Sequence, residues 1–579
     1  MNVRSILFSI SLLIGYVSQS QTYSFEWVAP AGATGSETSS FRSAVDASGN
    51  VYNIGVFDSI TDVDPGPGTY LLYSGHDNTS DIYIRKLDAA GNLVWAFQLG
   101  DPEYQDNITT INVDPSGNII ISGFFTDTLD LDPTAGVTNV IASPVNADIY
   151  IAKYTPSGTL LWAKQTEGSV ASGIIPLTSK LDPMGNIYLT GQFADTIDVD
   201  TGPGISTINS VNQSVFVIKF DNSGNLIWAK AVGVSSCSFC DSWATALCLD
   251  QSGSILLTGL YRGTCDFDPG VGISNLSWPG TDYQIFICKL DPLGNLIWAE
   301  AIGNRVSIYD LTADIIADAS GNFYITGCYD TIADMDPGPG VTNLAFSGTI
   351  HNDIFICKFK PSGDLIWARG IGGTGIDIPG TLVLDHSRII LSGFFQYTMD
   401  FDPGPGSTFI SPGGFYDSFI LSLDTSSAFI NALHLKSDPV AYNYGRTLIR
   451  DISGNLYFTG GFDDGFVDFD PGPLTHNIYA QGILENVFVL KLHASFMDIV
   501  ENEIGAISVF PNPGNTGFSF TAFTKIDKIE IRNVLGQIVY SESNPSMDFV
   551  NMTSFSDGLY TLLFSSEGRT MATRWLKSN

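Results

Sequence analysis

From about residue 22 to 496 the chain is a succession of short apolar runs, each four to seven residues long and rich in β-branched and aromatic side chains. Polar stretches of Asp, Gly, Pro and Asn separate them. Residues 246–290 show the pattern: a run at 246–250, the turn Gln251-Ser252-Gly253, a run at 255–260, then Ile285-Phe286-Ile287-Cys288-Lys289-Leu290. Asp291-Pro292-Leu293-Gly294-Asn295 follows and leads into Leu296-Ile297-Trp298-Ala299. Runs of this length and composition, bounded by turn residues, predict strands. The D-x-S-G-N segments at 114–118 and 318–322 predict hairpins whose Gly takes positive φ. The runs alternate little between apolar and polar, which predicts sheets covered on both faces.

The pattern is periodic. An Asp-x-Asp pair, usually followed by Pro-Gly, stands at Asp62/Asp64, Asp130/Asp132, Asp198/Asp200, Asp266/Asp268, Asp334/Asp336, Asp400/Asp402 and Asp468/Asp470. Successive copies are 68 residues apart, except for one interval of 66. Four strands in each of seven copies predict a seven-bladed β-propeller of about 68-residue repeats over 21–496. The Leu-Ile-Trp-Ala strand recurs around Trp95, Trp162, Trp228, Trp298 and Trp367, degenerates at Phe429-Ile430-Asn431-Ala432, and is missing after residue 492. An orphan copy, Ser24-Phe25-Glu26-Trp27-Val28-Ala29, opens the chain. The first strand is therefore expected to complete the last blade and remove two exposed sheet edges.

Both ends read differently from the body. Residues 1–20 combine Arg4, an apolar stretch from Ile6 to Val17 and the small residues Ser18 and Ser20, the pattern of a signal peptide cut before Gln21. Residues 497–506 form a polar linker. Residues 507–579 carry a fresh set of short strands, predicting a small β-sandwich. Composition sharpens this. The chain has 60 acidic and 26 basic residues, a net charge of −34, which excludes a basic nucleic-acid binder and argues against a polybasic anchor on anionic lipid. Asp outnumbers Glu 49 to 11, a skew toward turns and away from helix. From residue 505 onward six acids balance six bases, so the whole net charge lies in front of the tail.

Two resemblances follow. The pattern G-N-x-Y-x-T-G, D-x-D-P-G-x-G, D-x-F-x-x-K-L-D and G-N-L-x-W-A resembles the SBBP-type propeller repeats of exported bacterial proteins, with copies at 185–191 and 321–327. That family brings no agreed catalytic residues. The tail, with V-F-P-N-P, N-V-L-G-Q-I-V-Y, D-G-L-Y-T-L-L-F and a basic final strand, resembles the C-terminal sorting domain of the type IX secretion system. The resemblance implies export from a Bacteroidetes-type bacterium, by way of the periplasm, to the outer surface or the medium. It also implies the type IX machinery as a partner.

Candidate chemistry centres on the Asp pairs. Carboxylates at i and i+2 of a strand share one face, and Ca²⁺ with oxygen ligands would relieve their repulsion. Asp58, Asp127, Asp195 and Asp330 offer a third ligand in some copies. Equally, the Asp before Pro-Gly starts a turn by accepting backbone N–H bonds. Both readings, a calcium loop and a solvated turn, attach to all fourteen residues named above. Cys237-Ser238-Phe239-Cys240 suits a local disulfide, since a zinc site would want a second close pair. Cys288 and Cys357 share one strand position and read as core packing.

His76, His351, His386, His434, His476 and His493 fall at unrelated repeat positions, and neither H-E-x-x-H nor G-x-S-x-G occurs. The turn D-x-x-G-N-L-I-W differs by one residue from the tryptophan-docking turn of quinoprotein propellers. Asp-Thr-hydrophobic triplets at Asp127, Asp195 and Asp330 resemble a Bacteroidetes O-glycosylation sequon and also fit a strand entry. No cofactor is called for except, on the calcium reading, that ion. The expected function is a non-enzymatic exported module that binds a protein or glycan through its loop faces. The alternative is an extracellular hydrolase or lyase with its site in the central channel; Lys180, Arg388 and Arg450 depart from their repeats, but three scattered basic residues do not make a site.

Overall fold

The computed structural model describes residues 21–32, 38–74, 80–100, 106–142, 147–167, 175–235, 237, 239–306, 314–347, 352–480, 485–496, 508–510, 515–521, 526–533, 537–545, 549–566 and 569–578. The expected signal peptide and linker lie outside them. The described residues hold strands, turns and bends with no helix, so none is long and apolar enough to cross a membrane. The chain divides into two units, Tyr23–Ala494 and Ser495–Asn579 together with Met1–Thr22.

Among the described residues the larger unit contains seven antiparallel sheets of four principal strands each, two of them with short additions, and four small two-stranded sheets at the Asp-x-Asp loops. The first is built from Thr38–Val45, Val51–Phe57, Asp81–Leu87 and Leu93–Leu99 in that order. The first strands of the others are Asn107–Val113, Ile175–Leu181, Asp241–Leu249, Asp314–Ala317, Asp377–Asp385 and Tyr442–Arg450. Each first strand contacts that of the next sheet, and Tyr442–Arg450 contacts Thr38–Val45, so the sheets form a closed, propeller-like ring. The seventh sheet takes its fourth strand, Gln21–Ala31, from the other end of the chain, paired to Asn486–Phe496. Sheets bury both faces. Ile187, Leu189, Phe216 and Ile218 of the third sheet pack on Ile120, Ile149 and Ile151 of the second, which is why the strands read as nearly continuous apolar runs.

The turn chemistry is visible in full at Asp114. Its Oδ1 accepts the backbone N–H of Ser116 and of Asn118, both at 2.8 Å, and its Oδ2 accepts the Asn118 side-chain amide at 3.0 Å. The Lys153 ammonium pairs with the same carboxylate at 2.7 Å, with side chains only 6% and 1% exposed.

Neighbouring sheets are then locked in two ways. Outer-strand tryptophans dock on the next sheet's last turn: Trp27 donates its indole N–H to the Ala89 carbonyl at 3.0 Å, Trp95 to Pro156 at 3.2 Å and Trp298 to Pro361 at 3.2 Å. A Cβ on Gly91, which sits at φ +85°, would come within 2.7 Å of the Trp27 ring. So the D-x-x-G-N turn does receive a tryptophan, despite its departure from the quinoprotein spacing. In the second lock, the segment entering five of the Asp-x-Asp loops bridges to the end of the preceding sheet's outer strand: Asp62 to Gly32, Asp198 to Glu167, Asp266 to Val234, Asp400 to Gly372 and Val467 to Ser437.

Among the described residues the smaller unit has two antiparallel sheets. Ser508–Phe510, Gly517–Thr521 and Phe549–Asn551 make one, and Lys528–Arg532, Ile538–Ser543, Gly558–Ser566 and Arg569–Lys577 the other. Phe518, Phe520 and Val550 of one share a core with Ile529, Ile531, Leu562, Phe564 and Trp575 of the other.

Candidate functional site: the axial channel

The first strands of the ring line two cavities along its axis. The upper chamber, about 680 Å³, draws residues from every sheet, among them Arg42, Asn107, Gln192, Trp243, Phe394 and Arg446. The lower chamber, about 450 Å³, is lined by Arg42, Asn112, Ser179, Lys180, Asp314 and Arg450 among others. Arg42 belongs to both and forms the waist between them. Its guanidinium donates to the Thr109 carbonyl at 3.0 Å and to the Leu177 carbonyl at 3.3 Å, one from each of the next two sheets. Burial pulls the Arg42 pKa down from arginine's usual range, and the Asp314 charge opposes that pull.

Asp314 is buried in the lower chamber. Burial raises its carboxyl above the usual range, against the Lys180 and Arg42 charges and two backbone bonds. Those bonds come from Leu382 N–H to Oδ2 and Ile315 N–H to Oδ1, both at 2.9 Å. At the lower rim Arg450 pairs with Asp385 at 2.7 Å, and Tyr23 donates to the same carboxylate at 3.3 Å. His386 lies 2.8 Å from it. At the upper rim Arg446 pairs with Glu485 at 3.1 Å. Aromatic rings gather there: Phe394 meets Tyr416 and Tyr444 edge-on at 5.6 and 5.4 Å, while Trp243 meets the buried Tyr283 at 4.6 Å.

Of the three basic residues singled out in the sequence, Lys180 and Arg450 enter one chamber, and Arg388 stands outside the lining. Sequence reasoning missed Arg42 and Asp314. Both occupy the position four residues before the turn Asp of their copy, where other copies carry Thr110, Thr178, Ala246, Thr381 and Thr447. Aligning the first strands, rather than the Asp-x-Asp loops, would have exposed this break in the repeat.

The fourteen Asp candidates lie in seven separate loops and are not brought together. Asp62 Oδ1 accepts the N–H of Asp64 at 3.1 Å and of Tyr70 at 2.9 Å, tying the loop's two limbs. The same pair of bonds recurs at Asp130, Asp198, Asp266, Asp334, Asp400 and Asp468. The second carboxylate, at Asp64, Asp132, Asp200, Asp268, Asp336, Asp402 and Asp470, accepts the N–H two residues on. Among the described residues no group of three or more His, Cys, Asp or Glu is placed to hold a metal ion. Cys237 and Cys240 form a disulfide, and Cys248, Cys265, Cys288, Cys328 and Cys357 are buried thiols. His434 is 2.5 Å from Asp417, while His76 and His351 lie outside the described residues.

Residues 508–578 match the family model of the Secretion system C-terminal sorting domain. The chain therefore carries a type IX sorting tail, which engages the secretion machinery and directs it to the cell surface or the extracellular space. An uncharacterized WD repeat-containing protein of Acanthamoeba polyphaga mimivirus is 26% identical over 374 residues, 55% of this chain and 26% of that protein. The chain thus spans about a quarter of that relative's length. Among solved structures, a polysaccharide lyase, described as an ulvan lyase, aligns at 12% identity with a TM-score of 0.40, covering 76% of this chain and 93% of that one. A glycoside hydrolase of family 32 from Bifidobacterium adolescentis aligns at 10% identity and 0.26, covering 79% and 78%.

Proposed function

We propose that the protein, carried out of the cell by its sorting tail after removal of a signal peptide, is a seven-bladed β-propeller of SBBP-type repeats followed by a β-sandwich. Its work is non-enzymatic binding of an extracellular ligand in the axial channel. One observation carries this reading: the upper chamber combines aromatic faces (Trp243, Phe394) with the amides of Asn107 and Gln192, at positions where the copies differ from one another. A concave, mostly apolar cavity with a few placed polar groups is the usual form of a small-ligand site. The channel cations support binding rather than chemistry, because Arg42 is held by carbonyls and Arg446 and Arg450 by carboxylates.

A second reading, an extracellular hydrolase or lyase, draws on Asp314. A buried carboxyl raised by its surroundings and flanked by Lys180 and Arg42 is a candidate proton donor. Incubating the purified protein with a panel of glycans and peptides separates the two. Saturable binding without product is the expected result. Turnover that survives purification to homogeneity and is lost in Asp314→Asn would replace the first reading with the second. For the Asp-x-Asp loops the hydrogen bonds favour the turn role over calcium.

A further inference from the structure

The channel reverses the charge of the protein that surrounds it. The chain holds 60 acidic and 26 basic residues, yet four bases (Arg42, Lys180, Arg446, Arg450) and one acid (Asp314) line the two chambers. Among the described residues no carboxylate lines the upper chamber. Behind the lining, Glu485 answers Arg446 and Asp385 answers Arg450, which leaves Arg42 and Lys180 to share Asp314. That carboxylate already accepts two backbone N–H bonds, and burial favours its neutral form. The Arg42 guanidinium is fixed by two carbonyls. Lys180 differs: among the described residues its ammonium makes no hydrogen bond and no ion pair within 4 Å, and feels the Asp314 charge only at longer range. It occupies a position filled elsewhere by Ala44, Asn112, Cys248, Ile316, Val383 and Ile449. Nothing in the fold of the repeat asks for a cation there.

Resting on the binding role proposed above, we infer that the channel is selective for anionic saccharides, and that Lys180 receives the ligand's carboxylate or sulfate. An ammonium inside a low-dielectric cleft attracts an anion far more strongly than one in open water. The sugar is recognised one chamber higher, where Trp243 and Phe394 offer faces to its C–H surface and Asn107 and Gln192 offer amides to its hydroxyls. The net charge of −34 opposes a long polyanion, so the occupant is a short acidic segment, such as a chain end.

The test titrates the full-length protein with four probes: galacturonic acid oligomers, sulfated galactose oligomers, neutral galactose oligomers of equal length, and an oligoglutamate peptide. Binding of one or both acidic sugars is expected, with carboxylate and sulfate told apart by which arm binds. Affinity should fall as salt rises, since the attraction is screened. Lys180→Met should weaken it about tenfold or more, the size of a lost charge-assisted hydrogen bond, while Lys180→Arg restores most of it. Both variants are compared with the parent by melting, and the salt dependence of the unaltered protein tests the claim without any variant. Neutral oligomers that bind as tightly as acidic ones, or acidic binding indifferent to Lys180→Met, would overturn this inference and leave the channel reading intact. Tighter binding of oligoglutamate would overturn the saccharide class. Saturable binding of none of the four overturns this inference, and failure of the wider glycan and peptide panel is what removes the binding role itself.

Discussion

Replacing Trp27 by Ala removes the clasp where the two ends of the ring meet. The indole donates to the Ala89 carbonyl at 3.0 Å, lies against Gly91 and meets the Tyr457 ring edge-on at 6.1 Å. Truncating a fully buried Trp costs about 3–5 kcal/mol, and this one is half-buried, so the loss should be about 2–3 kcal/mol. Against a native stability of about 5–15 kcal/mol that is a large share. Trp298→Ala makes an instructive companion, because Trp298 docks in the same way on Pro361. The equilibrium losses should be similar. The consequences should differ, because Leu296–Val306 is continuous in sequence with the strand it pairs with, whereas Gln21–Ala31 meets a partner from far along the chain. It is held there by that pairing, the Trp27 docking, the Tyr23 bond to Asp385, the Lys491–Glu26 ion pair and the Arg85 bonds to the Ala29 and Pro30 carbonyls. Chemical denaturation followed by far-ultraviolet circular dichroism measures the first quantity, and hydrogen exchange of the terminal strand the second. Exchange across Gln21–Ala31 should accelerate in Trp27→Ala and stay near the parent rate in Trp298→Ala. Equal exchange in the two variants, or an unchanged rate in Trp27→Ala, would refute the idea that this strand closes the ring. A chain beginning at Gly35 should be worse than either, aggregating or melting far lower than one beginning at Gln21.

Three further expectations can be checked together. Asp266→Ala should cost about 1–3 kcal/mol, because it leaves the N–H groups of Asp268 and Ser274 without their acceptor, and on the turn reading the parent melting temperature should be the same in chelator and in millimolar Ca²⁺. A clear rise with Ca²⁺ would favour the metal loop instead, since a ligand of the folded state stabilises it. Burial pushes the Asp377 carboxyl up to about 8 from 3.8, with the nearby Asp353 charge adding to it. The folded chain therefore keeps a proton that the unfolded chain has released, so stability should fall as pH rises from about 4 to 8, and Asp377→Asn should flatten that slope in denaturant midpoints. Removing residues 505–579 should leave the protein inside the cell envelope, read by fractionation, while the large unit melts almost as before, because the tail has its own core.

Much of the ring was legible in the chain because its elements are local. A run such as Ile285 to Leu290, stopped by Asp291 and Gly294, declares a strand and a hairpin without reference to anything distant. The orphan Trp27 segment was legible for another reason: a missing piece at one end matched a surplus piece at the other. The role of the Asp-x-Asp loops was only half visible. Their internal bonds follow from local turn chemistry, but the bridge from Asp198 to Glu167 joins different repeats and leaves no trace in spacing. The channel was the least legible part. Arg42 and Asp314 stand 272 positions apart, and only ring closure brings their charges to bear on one another. Residues that break a repeat carry no recurring motif to mark them.

The pairing of Gln21–Ala31 with Asn486–Phe496 also imposes an order on assembly. Gln21–Ala31 leaves the ribosome ahead of the other strands of the large unit, and its partner is the last strand of that unit to follow. Until that partner arrives, six complete sheets carry two open edges, and the ring remains a crescent. The residues that close it come just before the sorting tail. A growing chain therefore gains the means to complete its ring before it can show the tail that grants passage outward. Sequence order alone places maturation ahead of departure.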